Sequence, residues 1–270
     1  PLNPKALTMA EIFKESGYET GYIGKWHLNG HEPGEQTFEA RQKFIPKERR
    51  QGFDFWHAYN AYDQHLSPHY WENTTELLEF DQWSPRHEVD VAMDFIENRD
   101  SSRPFLLMVS MNPPHPPAAQ VPGEYQLLYD EDDILLNRKN VSLTGEGAIA
   151  DDRVRDYFAA VSGVDDQFGR LVTYLKQKGL YDNTIIVFSA DHGEMMGSHG
   201  RMNKSKWYEE SINIPLVVSY PEKIQPGVSE CLVSPVDFLP TLLGLADLDV
   251  PETYDGKDLS EAFTRTDKIL

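Results

Sequence analysis

The stretch Pro104-Phe105-Leu106-Leu107-Met108-Val109 decides the fold class. Five apolar residues behind a proline are short for a buried helix, and they lack the alternation of a half-exposed strand. They predict a strand buried on both faces, as in a parallel sheet covered by helices. Thr184 to Phe188 and Ile214 to Ser219 have the same character. Helical periods lie between and around these runs. Glu88 to Asn98 sets Val89, Ala92, Met93 and Ile96 on one face, and Asp151 to Lys178 keeps a helical period up to Gly179, its natural C-cap. Thr8 to Ser16 opens with Thr8 and Glu11 at capping-box spacing, Thr20 to Ile23 fits a short strand, and Val236 to Ala246 fits a closing helix. Strand and helix in alternation predict an α/β domain with a mostly parallel sheet flanked by helices.

The composition agrees with a packed domain. The chain has 270 residues, of which 40% are hydrophobic and 11% aromatic, enough for a core; disorder, collagen and coiled coil are excluded. With 25 basic against 44 acidic residues the formal net charge is −19, which argues against nucleic-acid binding. A local cluster of Lys and His can still receive a small anion. No run reaches the ~18 apolar residues of a membrane span. The single cysteine, Cys231, excludes an internal disulfide and a Cys-rich zinc site. It lies in an apolar, strand-like context without a neighbouring base, so it reads as a buried structural thiol. Residues 29 to 86 are rich in aromatics, Pro and His without a clean period, and read as long, irregular surface structure.

In an open α/β sheet, ligands sit beyond the carboxyl ends of the strands. Those positions hold Gly24-Lys25-Trp26-His27, Asn112-Pro113-Pro114-His115-Pro116 and Ser189-Ala190-Asp191-His192-Gly193-Glu194. Lys25 and His27, two residues apart, would face one side of an extended strand end, a pairing suited to binding an oxyanion; a solvated Lys beside a half-buried His is the plainer alternative. Asp191 and His192 can both ligate a divalent cation with Gly193 permitting a sharp turn, or Asp191 can simply cap that turn. His115 sits between prolines, in a rigid loop that either presents the imidazole or merely connects. Lys204 and Lys206 flank Ser205 and fit a surface pair. The acidic run Asp130 to Asp133 lacks calcium-loop spacing and reads as a solvated loop. Asn73-Thr74-Thr75 and Asn140-Val141-Ser142 match glycosylation sequons, a short and common pattern.

Taken in order along the chain, these segments resemble the sulfatase family. Gly17 to Leu28, with Gly24-Lys25-Trp26-His27 at its heart, is similar to the second signature of that family, and Thr8-Met9-Ala10-Glu11 resembles the helix before it. Gly52-Phe53-Asp54-Phe55-Trp56, the Pro113-Pro114-His115-Pro116 loop, and Ser189 to Glu194 with His199-Gly200 and Lys204 ahead of Tyr208-Glu209-Glu210 resemble its later landmarks.

The resemblance implies an alkaline-phosphatase-like fold and hydrolysis of a sulfate monoester, carbohydrate or aryl, with bound calcium. It casts Asp191 and His192 as metal ligands. Lys25 and Lys204 would grip sulfate oxygens, with Lys206 a weaker candidate. His27 would assist the nucleophile, and His115 would bind sulfate or protonate the leaving oxygen. The family's formylglycine arises from a Cys/Ser-x-Pro/Ala-x-Arg motif upstream of the Gly-Lys-Trp-His segment. That motif is not among these residues, nor is the smaller C-terminal subdomain. Residues 1–270 therefore read as one catalytic domain incomplete at both ends and expected to be inactive alone. A phosphoester or phosphonate hydrolase of the same superfamily and a non-catalytic sulfatase-like binder are the alternatives. The oligomeric state is open, and a periplasmic or secreted setting is implied only by the resemblance.

Overall fold

The computed structural model describes residues 2–3, 5–29, 42–129, 139–142, 144 and 150–264, with 150–152 as backbone alone. The Asp130–Asp133 run and residues 30–41 of the long irregular segment lie outside the described residues. The chain sorts into two compact units, Pro1–Leu171 with Met195–Asn203, and Val172–Glu194 with Lys204–Leu270.

The first unit is built on a three-stranded parallel sheet. Helix α1 (Met9–Glu15) leads into β1 (Glu19–Lys25). At its start the Glu11 carboxylate accepts from the Thr8 backbone N–H at 2.8 Å, the predicted capping interaction. β1 is the central strand, its five inner residues all buried. It pairs with β2 (Phe55–Tyr59) from Gly21 opposite Phe55 to Lys25 opposite Tyr59, and with β5 (Phe105–Ser110) from Glu19 opposite Phe105 to Gly24 opposite Ser110. The pairing with β5 requires Gly24: its φ is 98°, and a Cβ there would lie 2.3 Å from the Ser110 carbonyl oxygen. Helix α2 (Ser84–Asn98) packs over the sheet, burying Val89, Ala92, Phe95 and Ile96. The core between α1 and the sheet is aromatic, with Tyr22 stacked on Trp56 at 5.3 Å and Trp26 and Phe53 edge-on.

Two expectations change here. Within the first unit β5 is an edge strand and only partly buried, with Met108 41% exposed. Residues 42–86 are not simply surface structure. They supply β2 and the short pair β3 (His69–Tyr70) and β4 (Leu78–Glu79), and they bury Trp56, Tyr59, His65 and Tyr70. Their aromatics and histidines stack on one another rather than line a regular face, so no period shows in the sequence.

After the single turn α3 (Gly123–Gln126), the long helix α4 runs from Ala150 to Gln177. It closes at Gly179 (φ 67°), whose N–H donates to Lys176, while the Leu180 N–H donates to Leu175, a C-terminal cap as predicted. In the second unit β6 (Ile186–Ser189) pairs with β7 (Leu216–Ser219). This pair is antiparallel, which two apolar runs separated by a long connection cannot reveal. The short helix α5 (Glu209–Ile212) precedes β7, and α6 (Pro235–Leu245) and α7 (Ser260–Thr264) follow it. Cys231 is exposed rather than buried: residues around it pair with no strand among the described residues, and Leu232 beside it is 94% exposed.

Candidate active site

The parallel register brings the carboxyl ends of β1, β2 and β5 side by side, because Lys25, Tyr59 and Ser110 close adjacent strands. The segments leaving these ends therefore meet. The Trp26 and His27 N–H groups donate to the carbonyls of Tyr59 and Asn60, both at 2.7 Å. Lys25 Nζ donates to Asn112 Oδ1 at 2.8 Å. Asn112 Nδ2 in turn donates to the Tyr62 carbonyl at 2.8 Å and to Asp63 Oδ1 at 3.1 Å. Lys25 Nζ lies 3.9 Å from Asp63 Oδ1. His115 Nδ1 is 2.8 Å from the Pro116 carbonyl and 3.3 Å from Asp63 Oδ1. Lys25 and His115, far apart in sequence, are thus tied to the same carboxylate.

A second layer holds the loop that carries His115. Buried His65 donates from Nε2 to the His115 carbonyl at 2.8 Å, and the His65 N–H donates to Gln120 Oε1. Burial pushes the His65 imidazole down to about 4, so it stays neutral at ordinary pH. Partial burial works to raise the Asp63 carboxyl, but the hydrogen bonds from His115 and Asn112, and the charges of His115 and Lys25, outweigh it. The carboxyl ends well below the usual range and is ionised. An anion entering here meets a fixed ammonium and an imidazole whose positions are already set.

His27 differs from the expectation. β1 stops at Lys25 and His27 takes a left-handed φ of 51°, so strand alternation does not carry through to it. Its side chain is exposed.

In the second unit, Asp191 and His192 follow β6. Asp191 Oδ1 accepts from the His192 N–H at 3.0 Å, and Asp191 Oδ2 lies 3.3 Å from His192 Nε2. The Asp191 side chain is 85% exposed. Gly193 matters through contact rather than through an unusual φ. Its N–H donates to Ser211 at 2.9 Å, and a Cβ would lie 2.2 Å from the Glu210 carbonyl oxygen. The carboxylate and imidazole have a spacing that two ligands of one cation can share. Among the described residues, however, no group of three or more His, Cys, Asp or Glu is placed to hold a metal, so the six to eight oxygens of a calcium shell are not met by these residues alone. Lys204 is half-buried; Lys206 is half-buried too, its N–H donating to Ser211 Oγ at 3.3 Å.

Asp63 and His65 are absent from the residues that the sequence points to, and Asn112 stands there without a role. The signal was available in principle: Asp63 lies four residues beyond β2, a strand hidden in a segment without period.

A family model described as Sulfatase matches residues 1–248. The chain belongs to the sulfatase family. An endo-4-O-sulfatase of Bacteroides thetaiotaomicron is 37% identical over 97% of the chain, which covers 55% of that protein. An ulvan-active sulfatase of Formosa agariphila is 38% identical over 98% of the chain, covering 51% of that protein. A Bacteroides fragilis protein named yidJ, described as a candidate sulfatase, superposes with a TM-score of 0.92 at 37% identity over 100% of the chain and 62% of its own length. This sulfatase chain thus spans about half the length of the curated relatives it matches. The agreement in fold bears out the α/β, alkaline-phosphatase-like expectation. Among the described residues no helix is long and apolar enough to cross a membrane.

Proposed function

We propose that the protein hydrolyses sulfate monoesters of carbohydrates, with residues 1–270 serving one catalytic domain. The observation that carries this reading is the joint anchoring of Lys25 and His115 at the end of the parallel sheet, an ammonium and an imidazole organised before any anion arrives. Relatives at 37% and 38% identity named as endo-4-O- and ulvan-active sulfatases support a sulfated polysaccharide over a simple aryl sulfate. In this reading Lys25 and Lys204 bind sulfate oxygens, and His115 donates a proton to the leaving sugar oxygen. His27 assists the nucleophile. Asp191 and His192 are two ligands of a divalent cation, calcium by family resemblance, whose chemistry would be to offset sulfate charge. The family's formylglycine would supply the nucleophile.

The test is sulfate release from a 4-O-sulfated oligosaccharide by the full-length protein, compared with phosphate release from an aryl phosphate. Sulfate release is expected to dominate, and Lys25→Ala and His115→Ala are each expected to lower kcat/KM by about 10²- to 10³-fold. Faster phosphate release would favour the phosphoester reading. Ligand binding without turnover of either substrate would favour the non-catalytic one.

A further inference from the structure

The neighbours of His115 limit what its imidazole can do. Nδ1 faces the Pro116 carbonyl at 2.8 Å and Asp63 Oδ1 at 3.3 Å. With Asp63 ionised, both oxygens can only accept, so a lone pair on Nδ1 would be repelled twice. The proton therefore belongs on Nδ1, and Nε2 is the nitrogen left to gain and lose one. The same carboxylate oxygen accepts from Asn112 Nδ2, while Asn112 Oδ1 accepts from Lys25. A flipped Asn112 would turn its oxygen toward the Asp63 carboxylate and the Tyr62 carbonyl, and its NH₂ toward the Lys25 ammonium. Asp63 thereby fixes the orientation of the amide that seats Lys25. An acidic residue at an anion site works against binding the anion, so its presence asks for a role other than contact with sulfate.

We infer that Asp63 is a positioning residue: it holds His115 in the Nδ1–H form with Nε2 presented to the leaving oxygen, and through Asn112 it seats Lys25. The leaving-oxygen part rests on the sulfatase reading; the tautomer and the amide orientation do not. In the step concerned, the bond between sulfur and the sugar oxygen breaks with its electron pair moving to that oxygen. His115 enters this step as the imidazolium, protonated on both nitrogens; the oxygen takes the proton from Nε2, His115 is left neutral with its proton on Nδ1, and a proton of the water that takes up the sulfuryl group restores Nε2. The sulfuryl group ends on the oxygen of water in the net reaction.

Two measurements test this. Long-range ¹H–¹⁵N spectra of the labelled protein, with His115 assigned through His115→Gln, read the tautomer without any substrate. The Nδ1–H form is expected in the wild type, with the Nε2–H form rising several-fold in Asp63→Ala. A wild-type His115 in the Nε2–H form, or an Asp63→Ala spectrum identical to wild type, overturns the positioning role whatever the enzyme hydrolyses. The second measurement is kcat/KM of Asp63→Asn on a sugar sulfate, whose leaving oxygen needs a proton, against nitrophenyl sulfate, whose leaving group does not. A loss of about 10²-fold on the sugar and only a few-fold on the nitrophenyl ester is expected. Equal losses, or none, overturn the link to proton transfer. If the full-length wild type releases no sulfate from either ester, the sulfatase reading fails and the spectra alone decide the positioning claim.

Discussion

The edge of the parallel sheet and the turn after β6 organise polar side chains by different means. At the sheet edge, side chains fasten side chains: Asp63 meets Asn112 and His115, Asn112 meets Lys25, and His65 holds the loop from behind. At the turn the backbone does the work. Gly193 lets the chain approach Glu210 and Ser211, while the Asp191 carboxylate stands in solvent and meets its neighbour His192. The first arrangement holds each group through several side-chain neighbours, which suits groups that must aim at a reacting oxygen. The second fixes the chain and leaves the donors free to settle on a ligand.

The largest expected difference between the two regions is their response to acid. Burial lowers the imidazoles of His65, His69 and His87 to about 4 and also lowers that of His57, despite its bond to Glu72. Unfolding would let each take a proton near its ordinary value of 6.5. The unfolded chain thus binds more protons between about pH 6.5 and 4, and stability is full above that window and lost as pH falls through it. Acidification from pH 7 to 4.5 should remove on the order of several kcal/mol from the first unit. Hydrogen exchange resolved by segment should show protection across residues 55–88 falling before that of β6 and β7. Exchange that accelerates equally in both regions would erase the contrast. Glu88 acts with the opposite sign: burial raises its carboxyl well above 4.5, so it opposes stability as pH climbs from 4.5 toward that raised value.

Gly193→Ala should break the turn by collision with the Glu210 carbonyl, costing about 3 kcal/mol in denaturant unfolding. A loss under about 1 kcal/mol would mean that the backbone there yields easily and does not fix the donors. Asn112→Ala should cost about 2 kcal/mol, because it strips partners from Lys25, Asp63 and the Tyr62 carbonyl in a buried position. Asp191→Ala should lie within about 0.5 kcal/mol of wild type, since the carboxylate is exposed, yet weaken any calcium binding seen by calorimetry. An equal stability cost for these last two variants would remove the distinction between side-chain and backbone organisation.

The sheet-edge site was legible in part because Lys25 closes β1 and His115 lies five residues beyond β5, whose apolar run announces it. Asp63 and His65 follow β2, whose Phe55-Trp56-His57-Ala58-Tyr59 reads as no clear period, and so they were lost with it. The error over Cys231 has a related cause: an apolar neighbourhood predicts burial only where a partner strand exists to supply it, and none pairs with it among the described residues.

Local pattern was enough for helices α1, α2, α4 and α6, for the caps of α1 and α4, for strands β1, β5, β6 and β7, and for the polar residues at their ends, because periodicity and capping are written in residues a few positions apart. It took the folded chain to place Asp63 between Lys25 and His115, to run β6 and β7 antiparallel, and to pack the aromatic stretch before α2 inside. Those facts depend on strand direction and register across long connections, where the relevant neighbours lie tens of residues away and the local pattern carries no record of them.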